Sequence, residues 1–190
     1  MTRIKNPKGK KIALIGGGQV GGNIALLVAQ KELGDIAIID IPEAENFVKG
    51  KALDISQLLP HDGFDCKLSG SSDFKTIKNS DVVVITAGFP RQPGMNREDL
   101  LNKNLSIMTN VANEVKTHAP DAFVIVVSNP LDAMVIHFIK FQDLKRTKLL
   151  VWQEHLIVQD LGLLSQKKQI FLLKTLLVWF LVDMETLWYQ

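Results

Sequence analysis

Ile12-Ala-Leu-Ile-Gly-Gly-Gly-Gln-Val-Gly-Gly-Asn-Ile24, with Asp40 closing the next apolar run, is the stretch from which the fold of this 190-residue chain is read. Residues 12–15 are four consecutive apolar side chains, the pattern of a buried strand, and residues 24–31 then recur at helical spacing. Between them Gly16, Gly18 and Gly21 make a Gly-x-Gly-x-x-Gly turn. The first glycine allows a tight turn, and the second admits a pyrophosphate to the backbone N–H groups. The third lets the helix pack close to the strand, with the positive end of its dipole toward the anion. Asp40 stands nineteen positions after Gly21, at the tip of Ile36-Ala-Ile-Ile-Asp40. There a carboxylate accepts hydrogen bonds from both ribose hydroxyls and repels a 2′-phosphate. A glycine-rich turn alone also serves plain strand-to-helix packing. Strand, turn, helix, second strand and terminal carboxylate in register favour a dinucleotide cradle, and NAD over NADP.

Composition sets the outer bounds. The length suits one domain or one and a half, enough to bury a core. With 22 basic and 20 acidic side chains, a net charge of +2, there is no broad field to attract nucleic acid. The basic cluster from Lys5 to Lys11 reads as a solvated tail. A single cysteine, Cys66, excludes an intramolecular disulfide framework and suits a reducing cytoplasm. The apolar run after the basic start is too short for a secretory signal before the glycines interrupt it.

Further along, Asp81-Val-Val-Val-Ile-Thr-Ala87 and Phe123-Val-Ile-Val-Val127 are continuous apolar runs of the kind found in parallel strands covered on both faces. Between them Asn96, with Asp99 three residues on, opens a helix. Leu101, Leu105, Met108, Ala112 and Val115 line one of its faces, and Pro120 marks its end. Strands alternating with helices predict an α/β, Rossmann-type doubly wound parallel sheet, with ligands at the carboxyl ends of its strands. Asp40, the segment Gly88-Phe-Pro-Arg-Gln-Pro-Gly-Met-Asn-Arg97 and Ser128-Asn129-Pro130 fall at those ends. Arg91 and Arg97 could be solvated loop charges, but their place at the crevice and the bidentate geometry of guanidinium toward carboxylates favour anion binding. Asn129 by itself reads as a turn former before Pro130.

Taken together, Gly-Gly-Gly-Gln-Val-Gly, Ile-Thr-Ala-Gly-Phe-Pro-Arg-Gln-Pro-Gly-Met-Asn-Arg and Val-Ile-Val-Val-Ser-Asn-Pro-Leu-Asp resemble malate dehydrogenases of the lactate-dehydrogenase-like type, over residues 10–135. The resemblance implies NAD held by Gly16, Gly17, Gly18, Gln19, Val20, Gly21, Asp40, Asn104, Val127, Ser128 and Asn129. It implies that Arg91 reads the second carboxylate of malate or oxaloacetate, that Arg97 polarises the reacting carbonyl on a closing loop, and that Asn129 positions the substrate. Lactate enzymes of this family usually carry Gln where Arg91 stands, so Arg91 points to a dicarboxylate. The family also implies a homo-oligomer, and no metal. Its chemistry needs an imidazole, an Asp to orient it and a further Arg. These come from an Asp-Ser-Ala-Arg-Phe type segment and a Gly-Gly-His-Gly-Asp segment, and neither stands in this chain. His61, His118, His137 and His155 match no such motif, so no catalytic residue is in frame.

The remainder has a different composition. Twelve of thirteen Gly and all seven Pro precede Ile136, whereas all three Trp and the only Tyr follow it. Translated one base late, Val151-Trp-Gln-Glu-His-Leu-Ile-Val-Gln-Asp-Leu-Gly162 permits Met-Ala-Gly-Ala-Leu-Asp-Ser-Ala-Arg-Phe-Arg, the first Ala being forced. In the same frame Val182-Asp-Met-Glu-Thr-Leu-Trp-Tyr-Gln190 permits Gly-His-Gly-Asp-Thr-Met-Val-Pro, with the second Gly and the Val forced. Both absent motifs are thus encoded out of frame, which implies a single-base deletion near the codons for Val135 and Ile136. The expected organisation is a dinucleotide-binding domain over residues 1–135 and an aberrant tail over 136–190, with the substrate domain missing. The competing reading of the tail is a divergent C-terminal module whose apolar run, residues 170–182, forms a partner or membrane-surface helix; it is too short to span a bilayer, which takes about 20 apolar residues. For the whole chain three readings stand: an inactive malate dehydrogenase remnant, a non-enzymatic NAD-binding or interaction protein, and a complete active enzyme if the break lies only in the reading of the gene.

Overall fold

The computed structural model describes residues 10–90, 92–141, 148–151 and 157–158. Its central strand β1 (Lys11–Ile15) forms because four successive apolar residues bury almost completely on both faces. β1 pairs in parallel with β2 (Asp35–Ile39) on one side and β4 (Val82–Ile85) on the other, so that Ile12 lies opposite both Ile36 and Val82. Beyond β2 lies β3 (Leu68–Ser71), and beyond β4 come β5 (Phe123–Val126), β6 (Lys148–Val151) and β7 (Ile157–Val158). All neighbours are parallel except β7, which runs antiparallel to β6. The order β3-β2-β1-β4-β5-β6-β7 reverses direction at β1. Such a reversal leaves a crevice at the carboxyl ends of β1 and β4.

Among the described residues four α-helices lie in the crossovers, α1 (Gln19–Gln30), α2 (Glu45–Leu58), α3 (Arg97–His118) and α4 (Leu131–Phe141), while a short 3-10 turn at Phe74–Ile77 lies between β3 and β4. Asn96 caps α3 by accepting the Asp99 N–H at 2.7 Å, as the Asn-x-x-Asp spacing predicts, and the helix stops just before Pro120. Period-two alternation divides the strand side chains between two layers. Ala13, Ile15, Val83, Ile85, Val124 and Val126 join one core with Met108, Val111, Ala112 and Val115 of α3 and Met134, Val135 and Phe138 of α4. Ile12, Leu14, Ile36 and Ile38 are buried on the other face, the side of α1 and α2, which bury Ile24, Val28, Val48 and Ile55.

The doubly wound parallel sheet expected from the sequence is present. It holds seven strands among the described residues. Leu68-Ser-Gly-Ser71 carries no apolar alternation, and it is a strand because its backbone pairs with β2 while Gly70 passes close to α2: a Cβ there would lie 2.3 Å from the Val48 carbonyl oxygen. The compositional break expected at Val135 falls inside α4, which continues through Phe141. Phe138, the bulkiest fully buried side chain among the described residues, lies beyond that break and anchors α4. Residues 159–190 lie outside the described residues, as do the expected partner helix and the second decoded motif. Among the described residues no helix is long and apolar enough to cross a membrane. Replacing Phe138 by Ala should lower the unfolding free energy by about 3 to 5 kcal/mol. Urea denaturation followed by circular dichroism checks this, and an unchanged midpoint would remove Phe138 from the core.

Candidate functional site

The crevice begins at the glycine turn. Gly16 adopts φ +106°, a conformation that L side chains rarely enter, and its N–H donates to the Ile39 carbonyl at 2.8 Å. A Cβ at Gly21 would lie 1.8 Å from the Gly16 carbonyl oxygen, so only glycine there lets α1 start flush against the end of β1. A Cβ at Gly18 would meet nothing within 4 Å. Gly18, Gln19 and Val20 are exposed, Gly18 caps α1 without a side-chain hydrogen bond, and the first turn holds no acidic residue. The leading N–H groups of the helix therefore face open space with the positive dipole end behind them, which suits a phosphate.

Asp40 closes one side of this cradle. Its Oδ2 accepts the Gly17 N–H at 2.7 Å and its Oδ1 accepts the Ile41 N–H at 2.8 Å, so the carboxylate is fixed at the tip of β2 beside the turn. On the β4 side, the Thr86 hydroxyl donates to the Gly16 carbonyl at 2.9 Å. The Lys51 ammonium, on α2, donates to the carbonyls of Gly17 and Gly18, both at 3.0 Å. Neither Thr86 nor Lys51 was assigned a role from sequence.

The tips of β4 and β5 are tied by buried polar side chains. Ser128 donates its hydroxyl to the Ala87 carbonyl at 2.6 Å and reaches the Ile85 carbonyl at 3.2 Å. Asn104, buried on α3, accepts the Phe89 N–H at 2.6 Å and donates to the Asn129 carbonyl at 2.8 Å. Its amide thus joins the segment after β4 to the segment after β5. Val127 is partly buried and donates its N–H to the Ile85 carbonyl, and Asn129 is exposed beside a cis peptide to Pro130. Arg91 lies outside the described residues, and Arg97 is placed by its backbone at the start of α3. An open cleft of about 530 Å³ lies there, between Gln92, Pro93, Gly94 and Met95 and the α3 residues Asp99, Asn102 and Lys103.

A glycine cradle, a strand-tip carboxylate and tied β4 and β5 tips coincide with a family match over residues 10–151, to the lactate/malate dehydrogenase, NAD binding domain. The chain belongs to this family. It is 61% identical over 137 residues to a malate dehydrogenase of Myxococcus xanthus, covering 72% of this chain and 44% of that one. Among solved structures, the apo malate dehydrogenase of Picrophilus torridus superposes with a TM-score of 0.68 at 40% identity, over 74% of this chain and 45% of that one. The Cryptosporidium parvum lactate dehydrogenase complexed with lactic acid and nicotinamide adenine dinucleotide gives a TM-score of 0.67 at 44% identity, over 74% and 44%. The chain thus spans less than half the length of the relatives it matches. What it carries is the NAD-binding domain of a lactate/malate dehydrogenase, and its cofactor is NAD.

The described histidines stand apart in three different settings. His61 is exposed in the turn after α2, and His118 lies 3.3 Å from Glu114 one helical turn away. His137 Nε2 lies 2.6 Å from the Thr109 hydroxyl. The same hydroxyl lies 2.9 Å from the Leu105 carbonyl oxygen. His155 lies outside the described residues.

Burial, reinforced by Glu32, Asp35 and Asp65, pushes the Cys66 thiol up to about 11 from an ordinary 9.0. Two pKa units remove about 99% of the thiolate near pH 8, so alkylation there should run roughly a hundredfold slower than in the urea-unfolded chain. Equal rates would place Cys66 in an ordinary exposed setting. At the tied strand tips, Asn104→Ala leaves the Phe89 N–H and the Asn129 carbonyl without partners. It should cost about 1 to 3 kcal/mol of stability by denaturant titration, and a loss within error would mean that water replaces the amide.

Proposed function

We propose that this chain is the NAD-binding portion of a malate dehydrogenase and that the 190-residue polypeptide binds NAD without oxidising malate. The observation that carries the reading is the glycine turn, where Gly21 brings an uncapped helix end against Gly16 beside a fixed Asp40. The N–H groups at Gly18, Gln19 and Val20 receive the pyrophosphate, and Asp40 accepts the ribose hydroxyls and disfavours a 2′-phosphate. Bound NAD supplies the hydride acceptor. In the complete enzyme Arg91 pairs with the far carboxylate of malate or oxaloacetate, Arg97 donates to the reacting carbonyl oxygen, and Asn129 holds the substrate. Because lactate-binding and malate-named proteins both stand among the relatives, Arg91 is the residue that favours the dicarboxylate. The complete enzyme is a cytoplasmic homo-oligomer.

Inactivity follows from the reading frame. The Asp, Arg and His motifs are encoded one base out of register after about Val135, and loss of the proton-transfer pair alone costs about 10²–10⁴-fold. A second reading, a complete active enzyme whose gene was read with a base missing, is favoured by how well both motifs are preserved in the other frame. Sequencing the gene across codons 134 to 137 separates the two.

Titration calorimetry on the purified chain should find NAD bound at least about tenfold more tightly than NADP, a difference of 1.4 kcal/mol. No malate-dependent NADH should form. Absence of heat with NAD overturns the binding reading, and measurable turnover overturns the inactive one.

A further inference from the structure

Lys51 belongs to no part of the glycine motif, yet it touches the motif's backbone. Its Nζ holds the carbonyls of Gly17 and Gly18 at 3.0 Å each and stands 4.7 Å from the centroid of the Phe47 ring. The Gly18 carbonyl also accepts the Gly22 N–H at 2.9 Å, and the Gly16 carbonyl is held by Thr86. Three successive carbonyls of the turn are therefore anchored on the protein side. In a trans planar peptide the N–H of the next residue points opposite to the carbonyl. Holding the Gly17 carbonyl thus aims the Gly18 N–H away from Lys51, and holding the Gly18 carbonyl does the same for the Gln19 N–H.

Gly22 lies outside the Gly-x-Gly-x-x-Gly spacing, and the fingerprint gives no reason for it. A Cβ there would lie 2.4 Å from Lys51 Nζ, 2.7 Å from its Cδ and 3.0 Å from its Cε. All three atoms belong to the flexible end of a side chain, so an added methyl displaces Lys51 and leaves the backbone in place. Within a helix Ala is otherwise the better residue. α1 gives up helix propensity at position 22, and what occupies the space is the Lys51 ammonium.

We propose that Lys51 is a positioning residue of the phosphate cradle, that it clamps the Gly17 and Gly18 carbonyls so that the following N–H groups are aimed at the pyrophosphate, and that Gly22 is the clearance this clamp requires. The inference rests on the NAD-binding reading for its ligand but not for its clamp, and the two are separated by measuring the ligand-free chain as well. Four chains are compared: wild type, Lys51→Met, Gly22→Ala and the double variant. Amide exchange at Gly17 without ligand, the thermal midpoint and NAD affinity by calorimetry are read on each.

Both single variants should speed exchange at Gly17 and weaken NAD binding, by about tenfold each. Gly22→Ala should do so with a midpoint at or above wild type, which a merely structural lesion would not give. The double variant should be no worse than either single one, because both remove the same clamp. Unchanged Gly17 exchange in Lys51→Met overturns the proposal, as do losses that add in the double variant. If wild type binds no NAD, the binding reading fails, and the exchange measurements alone uphold or overturn the clamp.

Discussion

The close approach of α1 to the end of β1 is the constraint on which the rest of this domain depends. A backbone carbonyl cannot move aside as a side chain can, so the missing Cβ at Gly21 has no substitute: with it, the Gly16 oxygen would be 1.8 Å away. Once the helix seats there, its first N–H groups open toward the crevice, the Gly17 N–H comes within reach of Asp40, and the turn carbonyls fall within reach of Thr86 and Lys51. One steric allowance thus sets the direction of every polar group around the cradle.

The sheet supplies the second requirement, a reversal of strand order. β2 and β3 build outward from one side of β1, and β4, β5 and β6 from the other. The strand tips on the β4 side are held together by Ser128 and Asn104, whose bonds run between backbone groups that have no ladder partners beyond the strands. Buried amides and hydroxyls spent in this way cost little when every partner is met and a good deal when one is removed. The β4–β5 half of the crevice is accordingly a polar network, whereas the β1–β2 half turns on the packing of Gly21 against the Gly16 carbonyl, with Asp40 and Lys51 bonded to the backbone of the turn.

The break in composition after Val135 and the continuity of the fold across it are both physical observations. Phe138 fills the core between α3 and the sheet, and the family match runs to residue 151, although residues 136–190 lose nearly all Gly and Pro. Core positions ask for an apolar side chain of adequate volume more than for a particular one. A helix and an outlying strand can therefore persist where motif chemistry does not.

Much of the domain was legible in the sequence. Continuous apolar runs announced β1, β2, β4 and β5, the Asn96 cap and Pro120 bounded α3, and the glycine spacing with Asp40 located the cradle, because these depend on local sterics and on period. β3 was not legible, since Leu68-Ser-Gly-Ser71 has no apolar pattern and is a strand only by pairing with β2. The linking role of Asn104 and the places of Thr86 and Lys51 were not legible either. Each acts on backbone groups between 15 and 70 residues away in sequence, and no local spacing encodes such a contact. The sequence by itself determined where the chain turns, which faces are apolar and which cofactor suits the turn. Only the tertiary structure decided which side chains hold that turn in place, because folding alone brings α2, β4 and the glycines to one point.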